Sequence, residues 1–329
     1  MIFTTSITSC KAQKTFGENN LQMIKSISLP GVKGRIDHMC VNVKDQIVYI
    51  AALGNNSVEV VDIVSGKVIH SIKGFDEPQG LAYIAETSEL FIANGGNGLC
   101  YFYDAKTFEK KATINLSTDA DNVRYDSAEK KIYVGYGSGG IAIISTIQHS
   151  LLTKIILPAH PEGFQIEHTT QRLFVNLTSI NTVAVVDIKK GLIEKRWRRS
   201  TPTGNFPIAL TTTGSKLFVG FRHPAKLAII NPYSGHLDFI TDLGNDVDDV
   251  FYDDNNKRIY ASCGGGYTRL GFVNVFDLNN DGTLTQISNV PTRNGARTSL
   301  LIPELQLFVV PEPSVFTHDP ELIIYKISK

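Results

Sequence analysis

The chain has 329 residues, with 32 Lys and Arg against 32 Asp and Glu, so its formal net charge at neutral pH is zero. A neutral chain is not drawn to nucleic acid by bulk charge, and 42% hydrophobic with 19% charged residues excludes a mostly disordered polypeptide. The longest stretch without Asp, Glu, Lys or Arg, 132–153, is interrupted by glycines, serines, Gln148 and His149, so no membrane span is predicted.

Residues 1–20 read as a leader or tether, MIFTTSITSC followed by the polar KAQKTFGENN. Within it, Ile7-Thr8-Ser9-Cys10 resembles the lipobox of bacterial lipoproteins, which implies a lipid anchor at Cys10 and an extracytoplasmic location, whether periplasmic, secreted or lipid-anchored. The segment lacks a basic start and a long apolar run, as a signal truncated by a wrongly chosen start codon would. The cysteines Cys10, Cys40, Cys100 and Cys263 show no C-x-x-C spacing, so neither a zinc ribbon nor a disulfide framework is expected.

From Leu21 onward an aliphatic-aromatic-aliphatic-small tetrad recurs: Val48-Tyr49-Ile50-Ala51, Leu90-Phe91-Ile92-Ala93, Ile132-Tyr133-Val134-Gly135, Leu173-Phe174-Val175-Asn176 and Leu217-Phe218-Val219-Gly220. Ile259-Tyr260-Ala261-Ser262 and Leu307-Phe308-Val309-Val310 make seven, with aromatic positions 42, 42, 41, 44, 42 and 48 residues apart. Each period holds about four short runs rich in β-branched and aromatic residues, punctuated by Gly, Asn, Asp, Ser and Pro. In the first row these are 38–43, 47–53, 58–63 and 67–73. Helical periodicity is absent. Four antiparallel strands in a period of this length define a blade, whose faces must be covered by neighbouring blades. The predicted fold is all-β: one seven-bladed β-propeller over residues 21–329.

The last row ends on a third strand, 322–327, while Leu21 to Leu29 carries the pattern of a fourth. Pairing of this N-terminal strand with the C-terminal blade would close the ring and leave no open interface.

These motifs resemble the YncE-like, or YVTN-repeat, β-propeller family, in tetrads such as Ile132-Tyr133-Val134-Gly135 followed by segments such as Val183-Ala184-Val185-Val186-Asp187. Ile36-Asp37-His38, the run from Asp119 to Asp126, Pro161-Glu162 and the run from Gly295 to Leu300 are similar to one bacterial branch of it. The resemblance covers residues 21–329 and implies an extracytoplasmic binding or scaffold protein more than a catalyst.

Loops leading into the innermost strands of a propeller converge at one mouth of its channel. Twelve residues before each tetrad aromatic stand Asp37, Gln79, Asp121, Glu162, Phe206, Asp248 and Ala296. One residue later come His38, Gly80, Asn122, Gly163, Pro207, Asp249 and Arg297; two residues earlier come Arg35, Glu77, Asp119, His160, Gly204, Asp246 and Asn294. These three rings contain eight carboxylates against two arginines and two histidines, which predicts an acidic mouth. Crowded carboxylates repel one another unless a cation or basic groups compensate. Asp37, Asp121, Glu162 and Asp248 are the candidate metal ligands, for calcium or, with His38 and His160 nearby, zinc. The alternative is that the acids cap turns and pair with Arg35, Arg124 and Arg297. The candidate ligand-binding residues are Arg35, Asp37, His38, Gln79, Asp121, Asn122, Glu162, Asp248, Asp249 and Arg297, for a small molecule or a protein.

Other patterns are weaker. Asp277 to Gly282 matches the first half of a calcium loop, but Ser288 stands where a bidentate glutamate is needed. Lys189, Lys190, Lys195, Arg196, Arg198 and Arg199 surround Trp197 on a predicted outermost strand, where charge discourages edge pairing. The reading that results is an exported binding or scaffold propeller with its ligand at the channel mouth. The alternative is a metal-assisted hydrolase or isomerase of the lactonase-like propeller type, with His38 or His160 as general base.

Overall fold

In the computed structural model the described residues are 20–266, 269–315 and 318–328. The leader 1–19, with its lipobox-like Cys10, lies outside them. The described chain forms seven four-stranded antiparallel sheets, interrupted only by three single-turn 3-10 helices at Leu53–Asn55, Thr178–Ile180 and Pro303–Leu305. Blades 1 to 6 span residues 39–73, 78–115, 120–156, 164–198, 203–242 and 247–292, each with its strands in sequence order from the inside outward. Blade 7 consists of Leu300–Ile302, Leu307–Glu312, Glu321–Ile327 and, outermost, the N-terminal Leu21–Ser28. Innermost strands lie against one another from blade to blade, as Met39–Asn42 does against Pro78–Ile84. The result is a ring.

The core is divided among the seven blade interfaces. Side chains alternate faces along a strand, so in the second strand of blade 1 Val48 and Ile50 pack with Ile324 and Val309 of blade 7, while Tyr49 and Ala51 pack with Leu90 and Ile92 of blade 2. Both faces are buried, so such strands read as near-continuous apolar runs. The tetrad aromatics fill the gaps between diverging blades: Tyr49, Phe91, Tyr133, Phe174 and Phe218 are all at most 2% exposed. Truncating one such ring to alanine would cost about 3–5 kcal/mol.

Ring closure follows the expected route. Leu21 pairs with Ile327 and Ser28 with Glu321, antiparallel, with one irregularity between Met23 and Lys25. Leu21 and Ile27 are buried, whereas Met23 and Ile24 face solvent. Lys25 Nζ donates to the carbonyls of Ile63 and Val64, both at 2.9 Å, tying this strand to blade 1 as well.

Blade 7 departs from the expected register by one residue. Its first hairpin pairs Ile302 with Leu307, as Asn42 pairs with Ile47 in blade 1, so Val309, not Phe308, occupies the position of Tyr49. Phe308 consequently faces backward into the interface with blade 6, its ring centroid 5.2 Å from that of Tyr260. A one-residue offset moves a side chain to the other face of its strand. The ring positions of blade 7 shift with it, and Arg297 takes the place assigned to Ala296. Backbone conformation agrees: Glu77, Asp119, Gly204, Asp246 and Gly295 all have positive φ, 52, 44, 71, 59 and 80°.

Candidate functional site

The backbone leading into each innermost strand is tied to the second strand of its blade, which turns the ring side chains toward the axis. Asp37 N–H donates to the Ala51 carbonyl at 2.8 Å, and Glu162 N–H to that of Asn176 at 3.0 Å. Between blades 2 and 3 the approach is so close that a Cβ on Gly80 would lie 2.0 Å from the Asp121 carbonyl oxygen. Only glycine fits there.

The side chains converge on an inner chamber of about 230 Å³ lined by, among others, Arg35, Asp37, His38, Asp121, Asn122, Glu162, Asp248 and Asp249. Arg297 contributes from just outside this wall, through its ion pairs. Gln79 does not reach the chamber wall; its amide packs beside Gly95.

The acids are matched to specific partners. Arg35 Nη2 donates to Asp37 at 2.8 Å. His38 lies between Asp37 and Asp249, 3.7 Å from each, and Asp249 also accepts the Ser299 N–H at 2.8 Å. Asp248 is held by Arg222 at 2.6 Å and by Arg297 at 3.0 Å. Arg124 donates to the Val123 carbonyl and to Asn122 at 2.8 and 3.3 Å, with its guanidinium 5.5 Å from the Phe164 ring centroid. Most of the chamber acids are therefore offset by specific cations, while Arg124 pairs with none of them. Arg222 is the partner that position counting misses. It stands at the end of the second strand of blade 5, Leu217–His223, where blades 2, 3 and 6 carry Gly95, Gly137 and Gly264 and blades 1 and 4 carry Leu53 and Thr178. A large cation where these blades carry glycine or an uncharged side chain was the available signal.

Ionisation follows from this packing. Burial pushes the Asp37 carboxyl up, reinforced by Asp121 and Asp248 against His38 and Arg35, to about 6. Burial would lower His38, but the fields of Asp249 and Asp37 outweigh it and raise it to about 10. His160 is likewise opposed by burial, yet its interactions with Asp121, the Gly137 carbonyl and Asp119 bring it to about 9. Burial and the neighbouring Asp121 lift Glu162 to about 7. Asp121 moves the other way: burial works against it, but His160, His38 and Arg35 hold it below its ordinary value.

Asp121, His160 and Glu162 offer ligand atoms that all lie within 4.8 Å of one another. His160 Nδ1 sits 2.6 Å from the Gly137 carbonyl oxygen, so it carries the proton of that hydrogen bond and Nε2 is the nitrogen 4.0 Å from Asp121. Asp37 and Asp248, the other two carboxylates expected around a cation, are instead occupied by arginines. Glu162 makes no side-chain hydrogen bond or ion pair among the described residues. The calcium-loop candidate does not converge: Asp277 pairs with Arg258 at 3.0 Å, Asn279 donates to Thr283 at 2.8 Å, and Asp281 accepts from Thr283 at 2.7 Å.

Fold and site together define a seven-bladed β-propeller with a central chamber lined by carboxylates, most of them offset by cations. No protein family and no curated protein matches the sequence. Among solved structures, a chain of the mitotic checkpoint complex superposes with TM-score 0.78 at 15% identity, covering 100% of this chain and 99% of that one. The WD40 repeats of RRP9 give 0.78 at 11% identity, with coverage of 94% and 100%. Kuenenia stuttgartiensis hydrazine synthase gives 0.73 at 17% identity, with coverage of 91% and 99%. At these identities the likeness establishes the fold alone.

Proposed function

We propose that the protein is an extracytoplasmic binding propeller of the YncE-like type, whose inner chamber takes a small ligand through a divalent cation held by Asp121, His160 and Glu162. The location rests on the family resemblance and on Ile7-Thr8-Ser9-Cys10. The cation rests on Glu162, the one chamber carboxyl left without a hydrogen bond or ion pair among the described residues, facing a carboxylate and an imidazole within ligand distance.

The donor set fits zinc better than calcium, since it combines imidazole nitrogen with two carboxylates, and calcium prefers oxygen alone. The Gly137 carbonyl orients the His160 ring from behind, as outer partners of metal-bound imidazoles do. Three protein ligands would leave a coordination position open to the ligand.

Chelated protein titrated calorimetrically with zinc should bind one equivalent, with calcium weaker. Glu162→Gln and Asp121→Asn should each weaken zinc at least tenfold. Absence of zinc binding, or unchanged affinity in both variants, would overturn the reading.

A hydrolase or isomerase of the lactonase-like type is the second reading, favoured by the same three-ligand set. A cation there would polarise a substrate carbonyl or lower the pKa of a bound water. With His160 and Glu162 among the ligands and His38 held protonated, the group suited to accept a proton near neutrality is Asp37. Turnover in a lactone panel that survives Asp121→Asn would place any chemistry elsewhere.

A further inference from the structure

Beyond the inner chamber the channel widens into a vestibule of about 950 Å³ at the mouth of blades 5, 6 and 7. Arg35 lines both spaces. Four guanidinium groups, Arg35, Arg222, Arg269 and Arg297, face the vestibule, against one lining carboxylate, Asp246.

Three of these guanidiniums are fixed from behind. Asp37 holds Arg35 at 2.8 Å. Asp248 holds Arg222 at 2.6 Å and Arg297 at 3.0 Å, and Arg222 stacks 3.5 Å from the Phe206 ring centroid. A guanidinium carries five N–H donors; Arg222 Nε also donates to the Val247 carbonyl at 2.9 Å, and Asp246 on the vestibule wall lies 3.6 Å from Arg222 Nη2 and 3.3 Å from Arg297 Nη1, which leaves Arg222 Nη1, Arg297 Nη2 and Arg35 Nε and Nη1 without a hydrogen bond among the described residues. Arg269 is exposed and makes no side-chain hydrogen bond or ion pair among the described residues. Its backbone is braced by the Asn294 amide, which donates to the carbonyls of Gly266 and Arg269. Counting Asp37, Asp246 and Asp248 against the four arginines leaves one uncompensated positive charge.

Arginines locked by a rear carboxylate lose little side-chain entropy on meeting a planar oxyanion, and they bind it bidentately. The space is too large for a bare ion and falls in the range of about 300–1,000 Å³ common for small organic ligands. We propose that the vestibule is an anion-binding chamber that takes the carboxylate or phosphoryl oxygens of a small organic anion. This site stands on the arginine geometry alone and does not rest on the cation at Glu162.

Metal-stripped protein titrated calorimetrically with citrate, and separately with inorganic phosphate, tests the assignment. Citrate should bind, and its affinity should fall at least tenfold in Arg269→Glu and severalfold in Arg269→Ala. The Arg269 side chain is exposed and makes no hydrogen bond or ion pair among the described residues, and zinc titration of the same variant, expected to be unchanged, verifies the inner chamber independently. Phosphate binding with the same dependence on Arg269 would show that the oxyanion alone is recognised. Failure of both anions to bind at millimolar concentration, or citrate affinity unchanged in Arg269→Glu, would overturn the proposal.

Discussion

Replacing Glu162 by glutamine should stabilise the protein, and the gain should appear only as pH rises. A carboxyl that ionises near 7 in the fold but at its ordinary 4.5 in the open chain binds more protons when folded, so stability falls as pH climbs between those values. Below 4.5 both states are protonated and the group contributes nothing. Above 7 both are ionised, and the full penalty, about 3 kcal/mol, is present. Glutamine keeps the shape and removes the charge. Urea unfolding followed through the single tryptophan, Trp197, whose ring centroid stacks 5.9 Å from that of Phe174, should give matching stabilities at pH 4 and a gap of about 3 kcal/mol in favour of Glu162→Gln at pH 8. Zinc at a hundred times its dissociation constant should stabilise the wild type by about 2.7 kcal/mol and a variant that binds tenfold more weakly by about 1.4 kcal/mol, so the gap should narrow by at least about 1.3 kcal/mol. A gap of equal size at pH 4 and pH 8 would refute the argument, because burial of an ionisable carboxyl would then not be its cause.

His38→Asn should show the opposite profile. The stability contributed by the raised His38 is fully present below its ordinary 6.5 and is lost as pH rises through about 10, so the deficit, about 3 kcal/mol at pH 6 for a broken buried pair, should shrink toward pH 10 in the same assay; a deficit independent of pH would mean lost packing instead. At the closure, Ile27→Ala should cost about 3 kcal/mol while Met23→Ala, at 55% exposure, should change urea stability by less than about 0.5 kcal/mol. Removal of residues 1–28 should leave the edge of Glu321–Ile327 unpaired and produce aggregates on size-exclusion chromatography; a monomer with undiminished cooperativity would show that the closing strand is dispensable.

Most of the ring was legible in the linear chain, because hairpin punctuation and strand composition are local properties and a period of 41 to 48 residues repeats them. Even the pairing of Leu21–Ser28 with the last blade could be read, since a lone fourth strand and a blade lacking one complete each other. The seventh tetrad misled for an equally physical reason. In Leu307-Phe308-Val309-Val310 every residue is apolar and both faces of the strand are covered, so no alternation marks which face is which, and only the hairpin pairing of Ile302 with Leu307 sets the register. Counting from the aromatics therefore brought Asp37, Asp121, Glu162 and Asp248 to one chamber but could not assign their partners. Arg222 reaches Asp248 from the far end of a strand in another blade, and His160 turns toward Asp121 because a carbonyl in blade 3 holds its other nitrogen. Strand order and ring size are dictated by neighbours in sequence. Which carboxyl keeps its proton and which is left free for a ligand depends on charges a few ångströms away across blade boundaries, and those distances exist only once the ring has closed.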